Sequence, residues 1–183
     1  NNEHWLQWTQ ETDVAEGPIP GDELYRLYWT GENYPRISWK THIISGPNGH
    51  YPYNSFRLGV PAPSDSPVAS EASETDESLT PSDVSYVVTV VTSDGREGPP
   101  SPPSPVQQKV DGQSMQIVLP LTNTFVRSDD NIGADAKFRL YRSNTGSTSS
   151  TFQLVSRTSP ANGQSVYNGD IPISQTVVID DMD

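Results

Sequence analysis

The sequence lacks cysteine and is poor in apolar residues. Without cysteine the chain cannot form a disulfide scaffold, use a thiolate nucleophile or bind zinc through sulfur. Hydrophobic residues make up only 32% of the 183 positions, and no apolar run approaches the roughly 20 residues that a membrane-spanning helix requires. We therefore expect a chain with a small core and no membrane partner.

Basic residues are also scarce, since 11 Lys and Arg stand against 23 Asp and Glu, for a formal net charge of −12. Such a charge repels the phosphate backbone, which disfavours specific nucleic-acid binding. If the protein lines a passage for DNA, its acidity would allow only passive contact with the moving strand.

The turn formers are abundant, with 17 Pro and 13 Gly. No stretch of ten or more residues shows a helical period, whereas short apolar or alternating runs bounded by turn residues recur, which is typical of a mainly β protein. We predict strands within eight segments: 24–29, 36–44, 55–60, 85–91, 115–119, 137–141, 151–155 and 175–179.

Composition divides the chain into three parts. Residues 61–82 are rich in Pro, Ser and acidic side chains and are predicted to be a solvated linker, with a long surface excursion as the alternative, because they offer little apolar area to bury. Residues 1–60 hold all four Trp and all three His, and we expect an irregular, aromatic-rich β region there. Residues 83–183 have the spacing of short strands that is typical of a β-sandwich.

The segment 86–105 (YVVTVVTSDGREGPPSPPSP) illustrates that pattern. Apolar residues on both faces of 87–91 predict a strand inside a sheet. Asp94-Gly95 supplies the positive φ that a tight turn needs. Because proline cannot donate a backbone hydrogen bond, the run from Pro99 to Pro105 must leave the sheet or lie along its edge, where it would prevent unwanted strand pairing.

No arrangement of residues predicts catalysis, a cofactor or a metal. Gly112-Gln113-Ser114 and Gly163-Gln164-Ser165 begin like a nucleophile elbow but lack its second glycine, and no His follows them. His4, His42 and His50 do not have zinc-ligand spacing. The acidic groups Asp129–Asp135 and Asp180–Asp183 do not match the helix-loop-helix calcium pattern, and we interpret them mainly as solvated turns, with a loop cation site as the alternative.

Aromatic residues concentrate in the first third of the chain. Large rings are usually buried, but exposed ones anchor protein interfaces or stack on sugars. Core packing, a protein interface and a carbohydrate platform therefore remain alternatives. We choose Trp5, Trp8 and Trp29 as candidate interface residues.

Two pairs of segments resemble known families. YVVTVVTSDGREGPPSPPS (86–104) and FRLYRSNTGSTSSTFQLVS (138–156) are similar to strands of fibronectin type III and related immunoglobulin-like modules, although the piece that usually closes the sandwich comes first here. LQWTQETDVAEGPIPGDELYRLYWTGENYPRIS (6–38) and FRLGVPAP (56–63) look like an arrangement found in structural proteins of tailed bacteriophages.

The resemblance implies a non-enzymatic component of the virion, in the tail, connector or nozzle, assembled in the host cytoplasm. Its partners would be other virion proteins in a symmetric oligomer. The alternative is a carbohydrate- or receptor-binding module of a phage tail. An enzyme is a third class, which no residue spacing favours.

Overall fold

A computed structural model describes residues 4–47, 49–73, 76–143, 151–160 and 166–181, and it shows a mainly β protein with antiparallel sheets. The chain forms two compact units. Unit 1 comprises residues 1–59 and 128–131, and unit 2 comprises residues 60–127 and 132–183. Gly163–Ser165, which begins like a nucleophile elbow, and Asp183 of the C-terminal acidic group lie outside the described residues.

Unit 1 contains a four-stranded antiparallel meander and one helical turn. The strands lie side by side in chain order. They are β1 (Val14–Glu16), β2 (Arg26–Trp29), β3 (Arg36–Trp39) and β4 (Phe56–Arg57), and the turn α1 (Lys40–Ile43) follows β3 directly.

Unit 2 contains ten described strands, most of them three or four residues long. They are β5 (Val68–Glu71), β6 (Ser82–Val84), β7 (Tyr86–Val91), β8 (Gln107–Lys109), β9 (Met115–Val118), β10 (Lys137–Ser143), β11 (Phe152–Leu154), β12 (Thr158–Pro160), β13 (Ile171–Pro172) and β14 (Val177–Asp180). A 3-10 turn, Thr122–Thr124, follows β9.

Two sheets of unit 2 share one core. In the first sheet β10 pairs with β7, β11 and β13; the second has the order β12-β14-β9-β5, and β6 pairs with β8 separately. Side chains from both sheets form a single buried cluster. Its fully buried members include Tyr86, Val88, Phe138, Ile117 and Val178. This packing of the two sheets concentrates the scarce apolar residues at one place.

All eight segments predicted as β contain a strand, although 36–44 contains β3 and then α1. The prediction missed β1, β5, β6, β8, β12 and β13. These strands have two to four residues, which is too short for an alternating pattern to stand out. Each of them pairs with another strand, and β6 and β8 pair with each other.

The structure differs from the predicted linker at 61–82. Strand β5 lies within it and pairs with β9, and the whole stretch belongs to unit 2. Ala69 is buried in the shared core, and Pro63 and Pro67 are buried as well. A single small apolar residue and a ladder of backbone hydrogen bonds suffice for an edge strand, and composition does not reveal either. Residues 76–82 are exposed, as expected of a solvated segment.

The segment 86–105 has the predicted buried strand and turn, but β7 lies at an edge of its sheet and not inside it, since β10 is its one partner among the described strands. All six residues of β7 are buried, and β7 pairs with β10 over six residues. Gly95 has φ 85° in the turn that follows, where Thr92 N–H donates to the Arg96 carbonyl. The proline run then lies along the free edge of β7, because the N–H groups of Gly98, Ser101 and Ser104 donate to β7 carbonyls.

A buried polar group joins the two sheets of unit 2. The hydroxyl of Tyr86 donates to Asp180 Oδ2 at 2.9 Å, and Arg142 Nη1 donates to the same oxygen at 2.9 Å. Tyr86 and Asp180 are both fully buried. Burial, reinforced by the Asp180 carboxylate, raises the pKa of Tyr86, so its hydroxyl remains a donor at every physiological pH.

We expect Tyr86→Phe to lower the unfolding free energy by about 1–2 kcal/mol, because it leaves a buried carboxylate with one donor fewer. Tyr141→Phe is the matched control. The Tyr141 hydroxyl donates to Glu97, which also accepts from Thr89 and Arg139 outside the core, so its loss should cost less than about 0.5 kcal/mol. Urea unfolding followed by circular dichroism measures both. Equal losses in the two variants would contradict this account of the buried group.

Candidate functional site

The three candidate tryptophans lie in very different environments. Trp5 is 81% exposed, whereas Trp29 is 2% exposed. Trp8 is half-buried, and its ring lies 5.8 Å from that of Trp29. The prediction for Trp29 therefore needs correction. It ends β2 inside unit 1, where its ring contributes to the interior and cannot reach another subunit.

A cleft of about 590 Å³ opens in unit 1. Its lining is mixed, with aliphatic side chains beside a few charged and aromatic ones. The residues are His4, Leu6, Glu16, Gly17, Ile19, Gly21, Asp22, Glu23, Tyr25, Arg26, Leu27, Lys40, Ile43 and Ile44. Exposed Trp5 lies between two of them in the sequence. A largely apolar cleft with a few polar groups is the usual form of a binding site.

The turn before β2 holds Tyr25 at this cleft. Asp22 organises the turn: its side chain accepts hydrogen bonds from the backbone N–H groups of Leu24 and Arg26, and its carbonyl accepts from Tyr25 N–H. The Leu24 carbonyl accepts from Lys40 N–H, and Lys40 Nζ lies 5.2 Å from the centre of the Tyr25 ring. A hydrogen bond therefore fixes the backbone of Tyr25, and the Lys40 ammonium group contacts the face of its ring.

Tyr25 is strained as well as exposed. It is the one described non-glycine residue with positive φ, at 48°, and it is 65% exposed. A bulky side chain in the left-handed region costs about 1–2 kcal/mol, and an exposed tyrosine ring contributes little to folding. Strained residues of this kind concentrate at functional sites. Tyr25 is thus the strongest functional candidate in the cleft.

Three aromatic rings pack together beside α1. The His42 ring centre lies 4.7 Å from those of Trp39 and Phe56, and the Trp39 and Phe56 ring centres lie 5.5 Å apart. Burial lowers the pKa of His42, so the imidazole is neutral at physiological pH. Lys40, Ile43 and Ile44, which line the cleft, lie on or next to the same turn as His42.

A second cluster fastens residues 128–131 to the rest of unit 1. Arg36 and Arg57 lie over the Tyr34 ring, at 4.7 and 3.8 Å from its centre, and the Tyr34 hydroxyl donates to Asp129. That hydrogen bond raises the pKa of Tyr34. Arg57 N–H also donates to the Asp129 carbonyl. The sequence allowed Asp129 to be a ligand of a loop cation site. In the structure Asp129 instead makes these contacts with Tyr34 and Arg57.

Three further polar residues of the sequence motifs, Gln113, Asp180 and Asp181, also have structural partners. Gln113 is buried, and its side chain accepts from Val110 N–H in a turn. Asp180 lies in the core of unit 2, and Asp181 lies 3.8 Å from Arg157. In the part of the chain that the structure describes, no three His, Asp or Glu side chains come together as a metal site would require.

Sequence analysis missed Tyr25, Ile19 and Lys40 as site residues. The motif Pro20-Gly21-Asp22 was a usable signal for a turn. Nothing in the sequence, however, indicates that this turn forces the next aromatic residue into a left-handed conformation. The cleft also requires α1, a turn too short to show helical periodicity.

Comparisons with protein-family models, curated proteins and solved structures find no match to this chain. Within the described ranges, no helix has the length and apolar character needed to cross a membrane. The cleft of unit 1 and the resemblance of sequence segments are therefore the features that indicate a function.

The strain at Tyr25 can be measured with two substitutions. Glycine tolerates positive φ and alanine does not, so Tyr25→Gly should be more stable than Tyr25→Ala by about 1 kcal/mol. Both variants lose the contact with Lys40, which makes them a matched pair. All four tryptophans lie in unit 1, so urea unfolding followed by tryptophan fluorescence reports this unit alone. An alanine variant as stable as the glycine variant would show that the conformation is not strained.

Proposed function

We propose that the chain is a non-enzymatic structural component of a tailed-bacteriophage virion that assembles by docking onto other subunits through the unit 1 cleft. The observation that carries the proposal is Tyr25, an exposed ring held in a strained conformation beside apolar Ile19, which is itself 55% exposed. Preorganised aromatic side chains are typical anchors of protein interfaces.

The sequence resemblance supplies the biological setting. Segments of unit 1 look like those of phage structural proteins, and segments of unit 2 are similar to fibronectin type III or immunoglobulin-like strands. Two antiparallel sheets around one core, with β7 and β10 at its centre, agree with such a module. In this proposal unit 2 is a rigid spacer in the tail, connector or nozzle, and unit 1 presents the docking surface.

A receptor- or carbohydrate-binding module is the second candidate. The cleft combines the exposed Tyr25 ring with the side chains of Asp22, Glu23 and Lys40. Aromatic faces stack on sugars, while carboxylates and amines bond to hydroxyl groups. Saturable binding of a host-surface glycan by the purified chain, lost in Tyr25→Ala, would favour this function over assembly.

Incorporation into particles tests the docking function. We expect Trp5→Ala and Tyr25→Gly to reduce the amount of the chain in purified virions about tenfold or more, because an interface anchor typically contributes about 2 kcal/mol. Tyr53→Ala is the control, since Tyr53 is 50% exposed but does not line the cleft. Quantitative mass spectrometry of purified particles provides the measurement.

Normal incorporation of both Tyr25→Gly, which alters the cleft lining, and Trp5→Ala, which alters an exposed ring adjacent to lining residues in the sequence, would overturn the docking proposal. Trp29→Ala is unsuitable for this test. Removing a buried tryptophan costs about 3–5 kcal/mol, so a loss of incorporation would report unfolding of unit 1.

A further inference from the structure

The proline run after β7 is anchored to its strand by five hydrogen bonds. The N–H groups of Gly98, Ser101 and Ser104 donate to the carbonyls of Val90, Val88 and Tyr86, each at 2.8 Å. In return, the hydroxyl oxygens of Ser101 and Ser104 accept from the N–H groups of Val88 and Tyr86, at 3.1 and 3.0 Å. The segment is therefore fixed before it meets any partner.

Its sequence repeats every three residues, as Pro-Pro-Ser. Both serines are buried against β7, whereas all five prolines are exposed: Pro99, Pro100, Pro102, Pro103 and Pro105. An extended proline-rich chain has three residues per turn, so one of its three faces carries the serines and the other two carry only proline. We call these two faces the proline ridge. Exposed Val106, 64% accessible, follows it in the sequence.

The chemistry of the ridge restricts what can bind it. Proline has no N–H, and the free edge of β7 is already occupied, so another strand cannot add here. Preformed proline-rich segments are instead recognised by clefts lined with aromatic side chains, and their binding loses little conformational entropy. The matching partner is a cleft with an exposed, rigid ring.

The chain itself carries such a cleft in unit 1. Tyr25 offers a ring fixed in place, with Ile19 and Leu6 as apolar neighbours in the lining. We propose that the proline ridge of one copy binds the unit 1 cleft of a second copy. This inference rests on the proposed docking function and names the partner of the same cleft.

Such a contact is heterologous, since it joins two different surfaces. Repetition would give a closed ring or an open chain of copies, and not an isologous dimer. Each copy carries a net charge of −12, so copies repel one another at low ionic strength. Because the ridge carries no charge and salt screens the repulsion between copies, association should strengthen between low and physiological salt.

Two full-length variants test the proline ridge and the cleft independently. Pro102→Ala with Pro103→Ala alters the ridge but keeps both serine anchors, and Tyr25→Gly removes the ring from the cleft while relieving strain. Pro81→Ala, at an exposed proline outside the ridge, and Tyr53→Ala are the controls. Sedimentation velocity over a series of protein concentrations measures the size of the assemblies.

We expect the wild-type protein and both controls to form assemblies larger than a dimer, and each surface variant alone to lose association at least tenfold. Mixing the two variants should restore a 1:1 pair, because the ridge variant keeps its cleft and the cleft variant keeps its ridge. The pair should not grow further, since its remaining surfaces are both altered.

Three results would overturn the inference: a wild-type chain that stays monomeric at every concentration, a ridge variant that associates like the wild type, or a mixture that forms no pair. None of these results alone would refute the docking function. That function is decided by incorporation of the Trp5→Ala and Tyr25→Gly variants into particles, where the partner could be another virion protein.

Discussion

The pairing of β7 with β10 is the contact on which unit 2 depends. Six consecutive residues of β7 are buried, and β10 supports β11 and β13 at its other edge. In a chain with 32% hydrophobic residues, a core forms only if those residues are concentrated. Burying Val88, Phe138 and their neighbours between two sheets achieves this, while Tyr86 and Asp180 satisfy each other across the interior.

A fully buried strand creates a second requirement, because its free edge still presents backbone N–H and C=O groups. The proline run satisfies them with serine side chains and a few N–H groups, and leaves nothing for another strand to pair with. The same arrangement displays prolines in fixed positions. Protection of the edge and display of the prolines in fixed positions are therefore two consequences of one set of hydrogen bonds.

Unit 1 is stabilised differently from unit 2. Its strands are shorter than β7 and β10, and its aromatic rings are divided between the interior and the surface. Trp29 and the stack of Trp39, His42 and Phe56 give it internal packing. Tyr25 does not take part in that packing, although the turn at Asp22 holds it in an unfavourable conformation. The packed rings stabilise unit 1, whereas Tyr25 is held in place without adding to that packing. This difference favours a binding role for Tyr25.

The sequence by itself determined the β class, eight segments that contain strands, the turn at Gly95 and the exclusion of the proline run from the sheet interior, because period, glycine and proline act locally. Only the tertiary structure decided that Ala69 joins the core, that Trp29 is buried and that Tyr25 is exposed. These outcomes depend on which distant segments pack together: β5 needs β9, and the cleft needs α1 beside the turn at Asp22. Local patterns carry no information about such pairings, since the energy that selects them comes from contacts between residues far apart in the chain.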